Sequence, residues 1–149
     1  MNKLANLILN LIFPVQCLIC GQFSGIQFCH DCRKKIQYLN YQEKNIICIT
    51  KYEGVIKKAI KKLKFGRKPC LASFLGKIFA DNLPQIDADF IIAVPISHER
   101  LIQRGFNQSE LLADSISDKF KIPALNGVLI RSKDTQAQFE MKGRQRRQN

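Results

Sequence analysis

Two Cys-x2-Cys pairs, CLIC at 17–20 and CHDC at 29–32, constrain this chain more than any other feature. Eight residues separate them. Each pair folds into a tight knuckle that points two thiolates at one centre, and two knuckles complete a tetrahedral four-sulfur site. Such a site has no open position for water, so the metal is expected to be a structural Zn2+ held by Cys17, Cys20, Cys29 and Cys32. A sixteen-residue module buries no core of its own, so metal binding would supply its folding energy. Gly21 and Gly25 suit the close turns. His30 lies inside the second pair and is read as a bystander, and Cys48 and Cys70 as ordinary buried residues.

The six cysteines could instead signal disulfides in a secreted protein, but the paired spacing argues for metal. The apolar stretch from Leu4 to Val15 is interrupted by Asn6 and Asn10, and no small-residue cleavage site follows it. It is too short to span a bilayer, which takes roughly 20 residues. It reads as a short amphipathic helix, and the whole set fits a reducing cytoplasm with no membrane span.

The remaining texture is that of an α/β protein. Residues 33–45 are polar and are expected to form a short helix and linker. IICITKY (46–52) has strand composition. Gly54 opens a helical pattern with Val55, Ile56, Ala59, Ile60 and Leu63 on one face, closed by Gly66. A second helix is expected from about Leu71 to Asn82. DFIIAVP (89–95) is a continuous apolar run, as in a strand buried on both faces of a parallel sheet. A loop at 96–106 leads to a helix starting at Asn107, with Glu110 at capping-box spacing, and GVLIR (127–131) reads as a further strand. This order predicts a parallel sheet. The expected division is a helix, cysteine module and linker over 1–45, then an α/β domain over 46–149.

Charge narrows the partners. The 149 residues carry 24 lysines and arginines against 12 acids, a net +12, which favours nucleic acid, phosphorylated metabolites or a membrane surface. Residues 57–68 hold seven basic residues and no acid, a candidate nucleic-acid stripe or simply a solvated helix face. The loop after the buried strand supplies His98, Arg100, Arg104 and the backbone of Gly105 at a strand's carboxyl end, next to a helix start whose free amides favour an anion. Arg100 and Arg104 are therefore the candidate anion site.

In this segment the chain resembles the ComF family, competence-associated proteins related to type I phosphoribosyltransferases. The resemblance rests on VPIS (94–97), Arg100-x3-Arg104-Gly105-Phe106-Asn107-Gln108, Tyr52-x-Gly54, Lys64-x-Gly66, Arg131-x-Lys133-x-Thr135-x2-Gln138 and Arg146-x2-Asn149, with the cysteine pairs in front. It implies a zinc-ribbon-like module followed by a type I phosphoribosyltransferase-like α/β domain. It assigns phosphate or pyrophosphate binding to Arg100, Arg104, Gly105, Asn107 and Gln108, and a mobile covering segment to Lys133, Thr135, Gln138, Arg146 and Asn149. The family's later loop, two adjacent acids followed by a threonine- and glycine-containing turn, has no counterpart here, so the chain reads as a truncated member with an incomplete domain. Without that loop, phosphoribosyl transfer by this chain is not expected, and Mg2+ would matter only in an intact active site. Three readings follow: a phosphoribosyltransferase-related protein of competence, DNA uptake or nucleotide metabolism that is inactive as it stands; a zinc-containing accessory protein of the DNA-uptake machinery that binds single-stranded DNA; and a zinc-stapled interaction module without a ligand. The partners these imply are a phosphorylated ribose compound, single-stranded DNA and competence proteins.

Overall fold

The computed structural model describes residues 13–132, apart from the side chain of Asn40. The expected N-terminal helix falls almost wholly outside the described residues, as do Lys133, Thr135, Gln138, Arg146 and Asn149. Among the described residues nine elements follow in order. They are α1 (His30–Lys34), β1 (Tyr38–Glu43), β2 (Ile46–Thr50), α2 (Gly54–Phe65), α3 (Cys70–Asn82), β3 (Ile91–Ile92), α4 (His98–Arg104), α5 (Gln108–Phe120) and β4 (Ala124–Leu125).

Helix α2 forms where its periodicity places it. Val55, Ile56, Ala59 and Leu63 are buried, and Gly66 caps the end with its N–H on the Lys62 carbonyl at 2.8 Å. Helix α3 buries Leu71, Ala72, Leu75, Gly76, Ile78 and Ala80. Its closest neighbour is α5. At Gly76 the two helices approach so tightly that a Cβ there would stand 2.4 Å from the Ser115 Cβ.

One core runs from the cysteine module into the helices. Cys17, Ile19, Phe28, Cys29, Cys32 and Ile36 belong to the same buried cluster as Leu63, Leu71 and Leu75. Phe28 stacks on Phe74 with ring centroids 3.6 Å apart, and the Arg33 guanidinium lies over the Phe74 ring at 5.1 Å. Lys62 Nζ donates to the Leu18 carbonyl inside the first knuckle.

The sheet differs from expectation. Residues 33–45 are not a helix and linker throughout: after α1 they carry β1, which pairs antiparallel with β2 across Lys44 and Asn45. Lys44 takes a left-handed conformation, φ 50°, to close this turn. Polar residues along YLNYQE hid a strand whose pairing is made by backbone, with Tyr41 opposite Cys48 and Glu43 opposite Ile46. The 46–50 strand is therefore in a hairpin and not in the parallel sheet.

The parallel sheet that does form has two short strands, β3 and β4, with Ile91 opposite Ala124 and Ile92 opposite Leu125. The second strand lies at 124–125 and not at 127–131, because Gly127 turns the chain at φ 77° just beyond it. The apolar run 89–95 is not buried on both faces: Phe90 is 49% and Val94 71% exposed, since β3 has one neighbouring strand among the described residues. The 96–106 loop contains α4. Cys70, expected to be buried, is exposed, and Cys48 is half-buried. No helix among the described residues is long and apolar enough to cross a membrane.

Candidate metal centre and anion site

The two knuckles bring Cys17, Cys20, Cys29 and Cys32 together, with all four sulfurs within 4.8 Å of one another. The local fold explains this. Gly21, at φ 82°, turns the first knuckle so that its N–H reaches the Cys17 carbonyl at 2.9 Å. Cys17 N donates in turn to the Gln22 carbonyl at 2.8 Å, and Leu18 N to the Gln27 carbonyl at 2.8 Å, which lays the second pair beside the first. In the second knuckle Cys29 is the N-cap of α1, so Cys32 sits on that helix's first turn. His30 is exposed and is not part of the cluster.

The distances fit a tetrahedral metal. Cys17 Sγ lies 3.8 Å from Cys32 Sγ, and Cys20 Sγ 3.7 Å from Cys29 Sγ. A zinc–sulfur bond of about 2.3 Å gives a tetrahedron with sulfurs about 3.8 Å apart. The sulfurs also receive backbone donors: Ile19 N and Cys29 N reach Cys17 Sγ at 3.4 Å, and Cys32 N reaches Cys29 Sγ at 3.5 Å. Burial works to raise the Cys17 thiol, but N–H groups of Cys29, Cys20 and Ile19 outweigh it and pull the pKa from 9.0 to about 6. Burial and the neighbouring sulfurs push Cys32 the other way. Four thiols that cannot all ionise alone are the donor set a divalent cation satisfies.

A second cluster forms around α4. Ser97 Oγ caps this helix by accepting from Arg100 N at 3.4 Å, and Gly105 ends it in the left-handed region at φ 80°. Asn107 then starts α5, its Oδ1 accepting from Ser109 N at 3.0 Å while its Nδ2 donates to the Val94 carbonyl at 3.3 Å. That pair of bonds fastens the loop to the end of the β3 segment, and Asn107 is buried. Arg104 donates through a terminal nitrogen to Gln108 Oε1 at 2.7 Å, and its guanidinium stands 5.5 Å from the Phe65 ring centroid. Its Nε is buried and has no hydrogen-bond partner among the described residues.

No acid is ion-paired with Arg100 or Arg104 among the described residues; the ion pairs are Lys51–Glu53 and Lys119–Asp81. Burial and then Arg100 lower the Arg104 pKa. Lys64, in the last turn of α2, is half-buried beside them, and its pKa is lowered by burial, then by Arg104, then by Arg100. The sequence reading placed Arg100 and Arg104 in one site, and the structure brings Lys64 and Phe65 up to it. Those two were missed because the 57–68 stretch reads as one solvated face. The side chains of Asn107 and Gln108 have internal partners that orient the loop and Arg104.

Comparison with known proteins adds three findings. Residues 8–48 match the model of the double zinc ribbon domain. The chain is similar to "Competence protein F" of Haemophilus influenzae, 27% identical over 145 residues, covering 86% of this chain and 63% of that protein. This chain thus spans less than two thirds of the relative's length. No solved structure matches. The four-cysteine cluster is therefore a zinc-ribbon cluster of metal-binding type in a chain distantly related to a competence protein.

Proposed function

We propose that this chain is a ComF-like, phosphoribosyltransferase-related protein with a competence-associated role. A structural Zn2+ staples its N-terminal module, and Arg100 and Arg104 bind the diphosphate end of a phosphorylated ribose compound. The observation that carries the reading is the arginine pair at α4. These are same-sign charges held beside a helix start, with no acid paired to either and one buried donor of Arg104 unsatisfied among the described residues. Such an arrangement is stabilised by an anion. The similarity to competence protein F supports the biological setting. Gly105, Asn107 and Gln108 shape the loop, and Lys133, Thr135, Gln138, Arg146 and Asn149 are the proposed cover. The proposed division is 1–45 and 46–149, and the free cysteines support a cytoplasmic setting.

Binding without transfer is the proposed state of the 149-residue chain. It contains no two adjacent acidic residues to accept the ribose hydroxyls, and removing even one well-placed donor costs a transition state about 2.7–4 kcal/mol. Mg2+ belongs to a complete active site. Titration calorimetry with phosphoribosyl pyrophosphate and pyrophosphate tests the reading: binding abolished by Arg100→Ala with Arg104→Ala supports it, and undiminished binding refutes it.

A second reading, a single-stranded-DNA-binding accessory protein, is favoured by the exposed Lys57, Lys58 and Lys61 on α2 and by a Phe65 that is 64% exposed near them. Cationic faces with an aromatic platform suit unpaired bases. Affinity for an oligonucleotide that falls steeply with salt, and survives loss of both arginines, would favour it.

A further inference from the structure

We infer that Phe65 is a positioning residue of the anion site: together with Gln108 it holds the Arg104 guanidinium by uncharged contacts, so that the arginine meets a phosphate anion in a fixed place with its full charge. The inference rests on the anion site proposed above and deepens it.

Arg104 is the last residue of α4, where a cation ordinarily serves the helix dipole and the terminal carbonyls. Among the described residues its hydrogen bond goes elsewhere. A terminal nitrogen donates to Gln108 Oε1 at 2.7 Å, across the turn made by Gly105. The guanidinium carbon stands 5.5 Å from the centroid of the Phe65 ring, inside the reach of a cation–π contact, which is about 6 Å. Phe65 is the last residue of α2, and that end is fixed. Leu63 is fully buried, Lys62 donates to the Leu18 carbonyl, and the Gly66 N–H closes the last turn on the Lys62 carbonyl at 2.8 Å. Three elements, α2, α4 and α5, thus meet on one side chain.

Both partners of that side chain are neutral. An arginine that served folding alone would gain more from a carboxylate, with which it makes charge-assisted, forked hydrogen bonds. The ion pairs among the described residues lie elsewhere, at Lys51–Glu53 and Lys119–Asp81. A carboxylate beside Arg104 would also compete with an anionic ligand. An amide oxygen and a ring face orient the guanidinium and leave its charge uncompensated. An arginine held in this way has less rotamer freedom to lose when a ligand binds, which raises affinity. Burial of the ring does not account for the arrangement, because Phe65 is 64% exposed. A single exposed phenylalanine is ordinary; a guanidinium held over its face without an acid is what points to a ligand.

The test is pyrophosphate titration of the zinc-loaded chain and its Phe65→Leu, Phe65→Tyr and Gln108→Glu variants, beside the double arginine variant. Pyrophosphate has no ring to stack, so its affinity reports on the arginine and not on a base lying against Phe65. Phe65→Leu, which keeps the net charge and an apolar side chain, should weaken binding about two- to fivefold, the range of a cation–π contact at an exposed site. Phe65→Tyr keeps the ring face and should bind as the parent does. Both should stay folded, with Tm lowered by no more than about 4 °C. Gln108→Glu should hold Arg104 and fold as stably as the parent, yet bind pyrophosphate at least about tenfold more weakly, because the carboxylate takes the charge the anion needs. Parent-like binding by Phe65→Leu overturns the role of Phe65 and leaves the anion site standing. Equal weakening by Phe65→Leu and Phe65→Tyr overturns it as well, since the ring face is then not what matters. Parent-like binding by Gln108→Glu overturns the need for neutral partners. A single-stranded oligonucleotide weakened by Phe65→Leu, with pyrophosphate unaffected, assigns the ring to bases and overturns the inference. Absence of pyrophosphate binding by the parent overturns both the inference and the site it rests on.

Discussion

Replacing Gly76 by alanine should destabilise the protein, although alanine is the better helix former. The reason is the contact between α3 and α5. A Cβ at position 76 would lie 2.3 Å from Ser115 Oγ and 2.4 Å from Ser115 Cβ. The hydroxyl, which donates to the Leu111 carbonyl at 3.2 Å, can rotate away. The Ser115 Cβ cannot, so the helices must separate. Overpacking of this kind costs typically 1–3 kcal/mol, and two backbone-fixed carbons at 2.4 Å belong in the upper half of that range, about 2–3 kcal/mol. The helix-propensity gain returns about 1 kcal/mol, leaving a net loss of about 1–2 kcal/mol. For a chain of this size that lowers Tm by roughly 3–8 °C. Urea unfolding of the parent, Gly76→Ala, Ser115→Gly and the double variant gives a double-mutant cycle. Ser115→Gly alone should cost about 1 kcal/mol, and in its background the alanine should become neutral or stabilising. Because α5 begins at Asn107 and Gln108, its displacement should also weaken pyrophosphate binding. A Gly76→Ala variant as stable as the parent, or additive with Ser115→Gly, would refute the packing argument.

Four further outcomes are expected. Purified protein should contain one zinc per chain, and the Cys20→Ser/Cys29→Ser variant none; metal retained by that variant would remove the assignment. Asn107→Ala should cost about 1–2 kcal/mol, since it loses both the helix cap and the bond to the Val94 carbonyl, and denaturant midpoints would show it. Phe74→Ala should cost about 2–3 kcal/mol and lower zinc affinity with it, because the half-buried ring joins α3 to Phe28 and Arg33 of the cysteine module. In the metal-free protein, the lowered Cys17 pKa stabilises the fold above the ordinary thiol value of 9.0, and that contribution is lost as pH falls through about 6. Unfolding midpoints should therefore rise with pH across that window, and Cys17→Ser should flatten the rise.

How much could be read without coordinates differed between parts of the chain, for a physical reason. The cysteine pairs carry their own geometry: the spacing within each pair closes a knuckle, and Gly21 permits the turn, so the cluster follows from local chain properties. Helix α2 was legible from the spacing of Val55, Ile56, Ala59 and Leu63, because burial on one face imposes a helical period. Strand pairing is not local. Nothing in YLNYQE announces that its backbone will pair with IICIT, and an apolar run such as DFIIAVP specifies burial but not the number of neighbouring strands. The proposed anion site shows the same division. Arg100 and Arg104 could be named from the loop, since strand end, Ser97, Gly105 and Asn107 lie within a few residues of one another. That Phe65 meets Arg104 while Lys62 reaches the zinc knuckle is decided by tertiary packing alone.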